Sequence, residues 1–577
     1  MNRVPQAVQA TLAILRAVLV LSLCNLALAQ GGSITGSIRD RATHQGLQGV
    51  IVTARDARTG LQAGAETTDF LGHFELRLPA FGPFTLTASK VGYLAWSETH
   101  PFELSEDIPD HTAPISLMRE PESLNTPNRP LLTSNWGTGV GKSYVIPALE
   151  IPAFLFLLNR YDRMAYPNAV EEGKNVYDVS YSTFRDHVLH GRWGVDQDAF
   201  AMNQFNHPYQ GTIYHGFARS AGLTYWQSLL YDNAGSLIWE TAGETTHPSI
   251  NDQIASGTGG SFFGEALFRM ANLMLEDDRD GSKPGFWHKL GATMLSPAMG
   301  FNRLAFGDRF TPLFSSNNPS LRWRLQLGQS TKSDLNNQGI TSTTHQKEAT
   351  VDYAMDYGLP GKLGYTYDRP FDYFQFEVTS LGNKSNPVDN IMIRGLLYGT
   401  DYDAGDAYQG IWGLYGGYDY ISPYIFRVSS TSLSVGTTFQ WSPWKPVALQ
   451  GSLLGGFGYA AGGNVSPIGE RDYHYGIGPQ GLFALRLILG DRAMFDLTGR
   501  TFYLNGKGGI DPGGNEVIRR MNMGFTVRLY DRHALGIQYI LSSRDTRYPG
   551  IANGHQTVGT VALVYNLLGH AGLGAIK

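Results

Sequence analysis

From about residue 301 onward, apolar and polar residues alternate with a period of two. Leu321, Trp323, Leu325 and Leu327 alternate with Arg322, Arg324 and Gln326, and Val351, Tyr353, Met355 and Tyr357 with Asp352, Ala354 and Asp356. Met521, Met523, Phe525, Val527 and Leu529 keep the rule, as do Leu535, Ile537, Tyr539 and Leu541, and then Val561, Leu563, Tyr565 and Leu567. Successive strand residues face opposite sides, so the pattern predicts strands with one apolar and one polar face. The polar face carries full charges, Arg324, Asp352, Arg500 and Arg528, which suits a wet lumen. Short connections at 442–446, 489–492 and 530–533 alternate with longer ones near 460–475, 503–516 and 543–556. Short turns on one side and long loops on the other predict an antiparallel transmembrane β-barrel of about twelve strands over 301–577. Leu325, Val527 and Ile537 are expected to face lipid, and Arg324, Arg528 and Gln538 the interior.

Residues 136–300 read differently. Ile213 to Leu230, Gly235 to Glu244 and Ser249 to Leu275 have loosely helical spacing interrupted by Gly and Pro, which predicts a short helical module. Ser249 followed by Asp252 is an N-cap signal. Pro121, Pro127 and Pro130 mark residues 119–135 as a linker. Before it, short alternating runs such as Ser33–Ile38 and Gly49–Ala54, separated by turn residues, predict a β-sandwich over 30–118. Residues 1–29 read as a signal peptide. Arg3 and Arg16 supply charge, Ala17–Leu28 is a short apolar stretch, and Ala27-Leu28-Ala29 fits a cleavage site. The predicted architecture is mainly β.

Composition sharpens this picture at three points. Charged residues are only 16% of 577, with 69 Gly and 69 aromatics (29 Phe, 30 Tyr, 10 Trp), which excludes a disordered chain and fits many strands and tight turns. A mean hydropathy of −0.20 is compatible with a barrel, because only alternate strand residues meet lipid. A net charge of −5 without single-sign blocks gives no support to a nucleic-acid partner. The single cysteine, Cys24, lies in the predicted signal peptide, so no disulfide or thiolate chemistry is expected after cleavage.

The candidate chemistry is concentrated in the helical module. Gly137–Ser143 imitates a phosphate loop, but Trp136 stands where the motif needs its first Gly, so no nucleotide is expected and the cofactor is left unknown. His207, Glu240, Glu244 and Asp252 are candidates for an acid/base pair or an O/N metal site, with Glu240 and Glu244 expected on one helix face. Asn203, Arg219, Ser249, Asn251, Glu265 and Arg269 are the candidate structural polar cluster, Glu265 and Arg269 as an i,i+4 ion pair. His247-Pro248-Ser249 resembles the His-x-Ser order of the outer-membrane phospholipase, although Pro248 suits a helix edge that Ser249 would cap.

Two resemblances add to this. Gly36, Asp40, Gly46–Val50, Thr68–Phe74 and Val91-Gly92-Tyr93 resemble the carboxypeptidase regulatory-like domain, a transthyretin-like sandwich also called a carbohydrate-binding-like fold. That resemblance implies an accessory module without catalytic residues, on the periplasmic side of an outer-membrane barrel. Asn203-Gln204-Phe205-Asn206-His207-Pro208-Tyr209-Gln210-Gly211 and the residues that follow resemble a bacterial outer-membrane family known as a domain of unknown function, which implies membership and no activity. The expectation is an outer-membrane barrel serving as pore, transporter or envelope scaffold, with the helical module lining or plugging its periplasmic mouth. The alternative is an outer-membrane enzyme acting on envelope lipid or glycan through the His/carboxylate residues. Expected partners are outer-membrane lipid, the barrel-assembly machinery and a periplasmic envelope component.

Overall fold

The computed structural model describes residues 32–117 and 141–574, apart from 41–44, 60–61, 70, 79, 91–92, 94–95, 99–100, 172, 197, 276–283, 308–318, 345–347, 363–364, 383–387, 406, 445, 466–471, 507–513, 550–551 and 571–572. The predicted signal peptide and the predicted linker lie outside the described residues. Two compact units are present and are taken separately.

The first unit is built from β1 (Ser33–Asp40), β2 (Ile51–Asp56), β3 (Gln62–Thr67), β4 (His73–Arg77), β5 (Gly82–Ser89), β6 (Trp96–Ser97), β7 (Phe102–Leu104) and β8 (Asp110–Leu117). One sheet has the order β4-β1-β8; the other is β3-β2-β5-β6, with β7 also paired to β5. Alternation places Ile34, Ile38, Val52, Leu76, Leu86, Ile115 and Leu117 in a common core. The polar landmarks hold the turns. Asp69 Oδ1 accepts from the Leu71 and His73 amides at 2.9 and 2.7 Å, and the Tyr93 hydroxyl donates to Asp40 Oδ2 at 2.8 Å.

The second unit begins with helices α1 (Val145–Ala165), α2 (Tyr181–His190), α3 (His207–Ser220), α4 (Tyr225–Ala242), α5 (Gly260–Leu275), α6 (Phe286–Leu295) and α7 (Pro297–Phe306). A small hairpin, β9 (Val170–Glu171) with β10 (Lys174–Asn175), lies between α1 and α2. The expected helix limits shift: the break falls at 221–224, where Thr224 caps α4, and the expected boundary at 300/301 falls inside α7.

The barrel strands are β11 (Leu321–Asn337), β12 (Ile340–Thr344), β13 (Glu348–Tyr357), β14 (Phe374–Leu381), β15 (Val388–Asp403), β16 (Tyr408–Ile421), β17 (Phe426–Trp444), β18 (Val447–Asn464), β19 (Tyr473–Leu489), β20 (Ala493–Asn505), β21 (Asn515–Tyr530), β22 (His533–Arg547) and β23 (Gly554–Leu568). β11 and β13–β23 form a ring of twelve, closed where β11 pairs antiparallel with β23 from Arg324↔Leu568 to Asn337↔Gln556. β12 pairs with the end of β11 on the edge that β13 uses nearer its start, so the two lie in line beside β11. The turns 445–446, 490–492 and 531–532 share one end of the barrel with the start of β11 and the close of β23. The connections 465–472, 506–514 and 548–553 share the other. These longer loops are shorter than the sequence pattern implied, because the strands run on through their flanks.

The polar face lines the interior. Arg486 on β19 donates to Asp356 on β13 at 2.9 Å, and Arg520 on β21 to Asp389 on β15 at 2.8 Å. Each pair joins strands standing opposite one another in the ring, six pairings apart either way. Between these tiers Arg500 reaches Asp419 at 2.9 Å, and Arg394 meets the same carboxylate. Arg324 lies 3.5 Å from Asp496 and 3.6 Å from Asp352. Gln538 lines the same interior. Burying these charges unpaired would be costly, and the pairing removes that penalty. The apolar face looks outward, with Leu327, Leu433, Leu453, Phe457, Leu535 and Leu563 exposed on the wall. Trp441, Trp444 and Tyr530 stand at the tight-turn end, where an aromatic girdle is expected. Arg528 departs from expectation. It sits at the rim and donates to the backbone carbonyls of Asp491 and Asp531 rather than projecting into the lumen.

Val527 is also close to that rim, three residues before the end of β21. Leu563, paired with Ile537 and Gln329, is well inside the wall. Leu563→Arg should therefore cost about 2–4 kcal/mol and Val527→Arg about 0–1 kcal/mol. Denaturant titration of protein refolded into bilayers checks this, and equal costs would contradict the assigned depths.

Candidate functional site

The helical module does not line or plug the mouth of the barrel. It packs on the outer wall. Phe263 stacks on Tyr418 with ring centroids 5.8 Å apart, and Tyr225 on Phe371 at 5.7 Å. Phe376, Ile393, Tyr418 and Tyr420 share the strand face opposite the buried lumen charges, and they form one buried cluster with Phe200, Phe262, Phe263 and Leu267 of the helices. The physical reason is the same alternation that makes the wall apolar: an outward aromatic face is as good a partner for a helix as for lipid. Glycines permit the close approach. A Cβ on Gly416 would meet the Phe262 ring at 2.5 Å, and one on Gly211 would meet the Ser256 carbonyl oxygen at 2.1 Å, where α3 crosses the segment leading into α5.

Chain direction follows from the contacts. α1 starts beside the α3–α4 junction, where the Ser143 amide donates to Ala221 O at 2.9 Å. It ends beside the close of α4, where Asn159 Nδ2 donates to Gly243 O at 2.7 Å. The Asn251 side chain, shortly after α4, bonds the hydroxyl of Tyr475 near the long-loop end of β19 at 2.9 Å. Arg269 on α5 bonds Asp372, just before β14 at the tight-turn end. α1 and α4 thus run from the tight-turn end to the long-loop end, and α3 and α5 run back.

Two polar clusters are held inside this assembly. The first lies near the long-loop end. His207 Nε2 is 4.0 Å from Asp252 Oδ2, the Ser249 hydroxyl bonds the same carboxylate, and Glu240 Oε2 accepts the Ser249 amide at 2.7 Å. Ser249 also caps the turn Ile250–Asp252, its Oγ accepting from the Asp252 amide at 3.3 Å. Asn251 Nδ2 donates to Asp252 Oδ1 at 2.8 Å, and its Oδ1 accepts the Asp196 amide at 2.7 Å. Asn203 sits in a π-helical turn, Met202–Asn206, and donates to Asp196 Oδ2 and the Tyr473 hydroxyl, both at 3.0 Å. Glu244 does not share a helix face with Glu240. α4 ends at Ala242, and Glu244 instead accepts from Trp239 Nε1 at 2.7 Å and Thr246 Oγ1 at 3.0 Å. Ser249 and Asp252 touch each other, but His207 reaches the carboxylate and not the hydroxyl. Among the described residues, no group of three or more His, Cys, Asp or Glu is arranged to hold a metal ion.

The second cluster is fully buried. Glu265 on α5 accepts from His215 Nε2 at 3.0 Å, Arg219 Nε at 2.7 Å and Arg269 Nε at 2.9 Å. Arg269 continues to Asp372 at 2.9 Å and to the Pro370 carbonyl at 2.6 Å, and Arg219 to the Leu223 carbonyl at 2.5 Å. Two arginines are shared between two carboxylates and backbone oxygens, the condition under which buried charge is tolerated. The sequence reading missed His215, Asp372, Tyr473 and Tyr475. His215 carries a signal, since it stands four residues before Arg219 on one face of α3; Asp372, in a long connection, carries none.

Glu265→Ala should leave two buried arginines short of a partner and cost about 3–5 kcal/mol. His207→Ala, which removes a looser contact, should cost about 1–3 kcal/mol. Tryptophan fluorescence during denaturant titration measures both, and a Glu265→Ala protein as stable as the unaltered one would contradict the network.

Comparison with known proteins gives similarity at the level of segments. No curated protein sequence matches the chain significantly. Among solved structures, a mutant type II cohesin–X-dockerin complex from Acetivibrio cellulolyticus aligns at 19% identity over 15% of this chain and 57% of that one, with a TM-score of 0.12. The P. putida toluene transporter TodX aligns at 8% identity over 44% of this chain and 92% of that one, TM-score 0.19. The translocator domain of autotransporter NalP from Neisseria meningitidis aligns at 16% identity over 43% and 89%, TM-score 0.19. At such scores the likeness says nothing of activity. Two segments match family models: residues 33–107 that of the carboxypeptidase regulatory-like domain, and residues 192–298, which hold the helical residues of both polar clusters, that of a domain of unknown function (DUF3943).

Proposed function

We propose that this chain is an integral outer-membrane protein whose barrel is a non-conducting scaffold. A closed ring with an apolar outer wall and a charged interior meets the requirement that every backbone polar group in hydrocarbon be satisfied internally. The end that carries the tight turns, the start of β11 and the close of β23 is assigned to the periplasm, and the sandwich to the same compartment. Insertion by the barrel-assembly machinery follows from that reading.

The observation that favours a scaffold over a pore is the bridged lumen. Salt bridges cross it between opposite strands, and the cavity lined by Arg324, Glu377, Arg486 and Asp496 holds about 30 Å³. The side chains paired across the lumen stand in the way of a solute path. In this reading both polar clusters are cross-links that fix the helices to one another and to the wall.

Fractionation should place the protein in the outer membrane, released only by detergent; a soluble periplasmic species would defeat the reading. In planar bilayers the unaltered protein should show no steady conductance. Replacing both arginines that span the barrel, Arg486→Ala with Arg520→Ala, should raise conductance and cost about 3–5 kcal/mol per bridge. A stable open channel in the unaltered protein would overturn the scaffold.

A further inference from the structure

The helices that cover the barrel wall have an outer surface of their own. α1 is exposed along one face at Val145, Leu149, Pro152, Ala153, Phe156 and Leu157. No charged residue stands on that face between Tyr144 and Asn159, and Glu150, the one charge in that interval, has both carboxylate oxygens buried in the protein. Tyr161 lies seventeen positions after Tyr144. At ~1.5 Å per residue that is ~26 Å, close to the ~25 Å height of the apolar band on an outer-membrane barrel. Arg160 and Arg163 follow at the long-loop end and Lys142 precedes at the other. α4 repeats the pattern. Trp226, Leu230, Ala234, Leu237 and Ile238 are exposed, while its two charges, Asp232 and Glu240, are buried.

We infer that the outer face of α1 and α4 is a lipid-contacting surface, so that α1, α3, α4 and α5 lie within the bilayer beside the barrel and replace lipid over part of its wall. The inference rests on the outer-membrane reading. Three observations carry it. The stripe has the height of the barrel's own apolar belt and ends in tyrosines and basic residues, as membrane-interface anchors do. It is continuous with that belt, because the helices run from one barrel end to the other against part of the outward face of β14–β19, beside the exposed Leu433, Leu453 and Phe457. The charges midway along α1 and α4 are turned away from it into the protein, where Asp232 accepts from Ser261 Oγ at 2.7 Å and Glu240 from the Ser249 amide at 2.7 Å, as hydrocarbon demands of ionisable groups. No described helix is long and apolar enough to cross a membrane by itself. These helices have no need to be, since only one face of each meets lipid while the other is buried on protein.

The occupant is the acyl chain region of the bilayer. The test uses the full chain in a Cys24→Ser background, reconstituted in liposomes, with single spin labels at Ala153→Cys, Ala234→Cys and, on the barrel belt, Leu453→Cys. The two alanine sites are exposed and small, so labelling leaves the packing intact. All three labels should collide with oxygen several-fold more readily than with a water-soluble nickel chelate. Oxygen preference at position 453 with chelate preference at 153 and 234 would overturn this inference and leave the barrel reading standing. Chelate preference at 453 would overturn the barrel reading itself. Spin–spin broadening at 153 or 234 that persists on lipid dilution would assign the face to a second copy of the chain and also overturn the inference.

Discussion

The closure of β11 on β23 is the constraint from which the rest follows. A sheet in hydrocarbon cannot leave an edge, because each unpaired amide or carbonyl there costs several kcal/mol. Thirteen register pairs from Arg324↔Leu568 to Asn337↔Gln556 remove that edge. Once the ring is shut, period-two alternation has only two destinations, the lumen and the outer wall. The charged set goes inward and must neutralise itself within a confined space. The apolar set goes outward and must be covered by lipid or protein.

Both solutions for the outward set occur on one barrel. On β20–β23 the wall is aliphatic and exposed, with Leu535, Ile537 and Leu563. On part of β14–β16 and at the long-loop ends of β18 and β19 it is aromatic and covered, with Phe376, Tyr418 and Tyr475 under the helices. Hydroxyls mark the difference. Tyr473 and Tyr475 receive hydrogen bonds from Asn203, Gln204 and Asn251, and Tyr418 donates to the Gln204 carbonyl. A phenol facing hydrocarbon gains nothing from its oxygen, whereas under a polar helix surface it fixes the register of helix on wall.

That distinction explains what was legible in the sequence. The strands of β11, β13 and β20–β23, the polar lumen face and the even strand number could be read from alternation, because alternation is a local property. The Ser249 cap and the Glu265–Arg269 pair were legible for the same reason. The seat of the helices was not, since a lipid-facing wall and a helix-facing wall carry nearly the same residues. Phe376 and Tyr418 look alike in either role. Glu244 was misplaced because the end of α4 at Ala242 has no Pro, and Gly243 as its cap could not be told from an interior glycine. Asp372 joins Arg269 across 103 residues of sequence, a separation that no periodicity encodes.

The position of the helices on the outer wall also fixes an order of events. Asn203 meets Tyr473 across 270 residues, and the helices precede in sequence the strands on which they rest. Their inner face, with its phenylalanines and its arginine–glutamate network, has no surface to dock on until β14 to β19 are assembled. The helices are made before the strands yet complete their packing on the wall only after them, and the time they wait is set by the non-local pairing of the barrel, the slowest kind of contact for a chain to form.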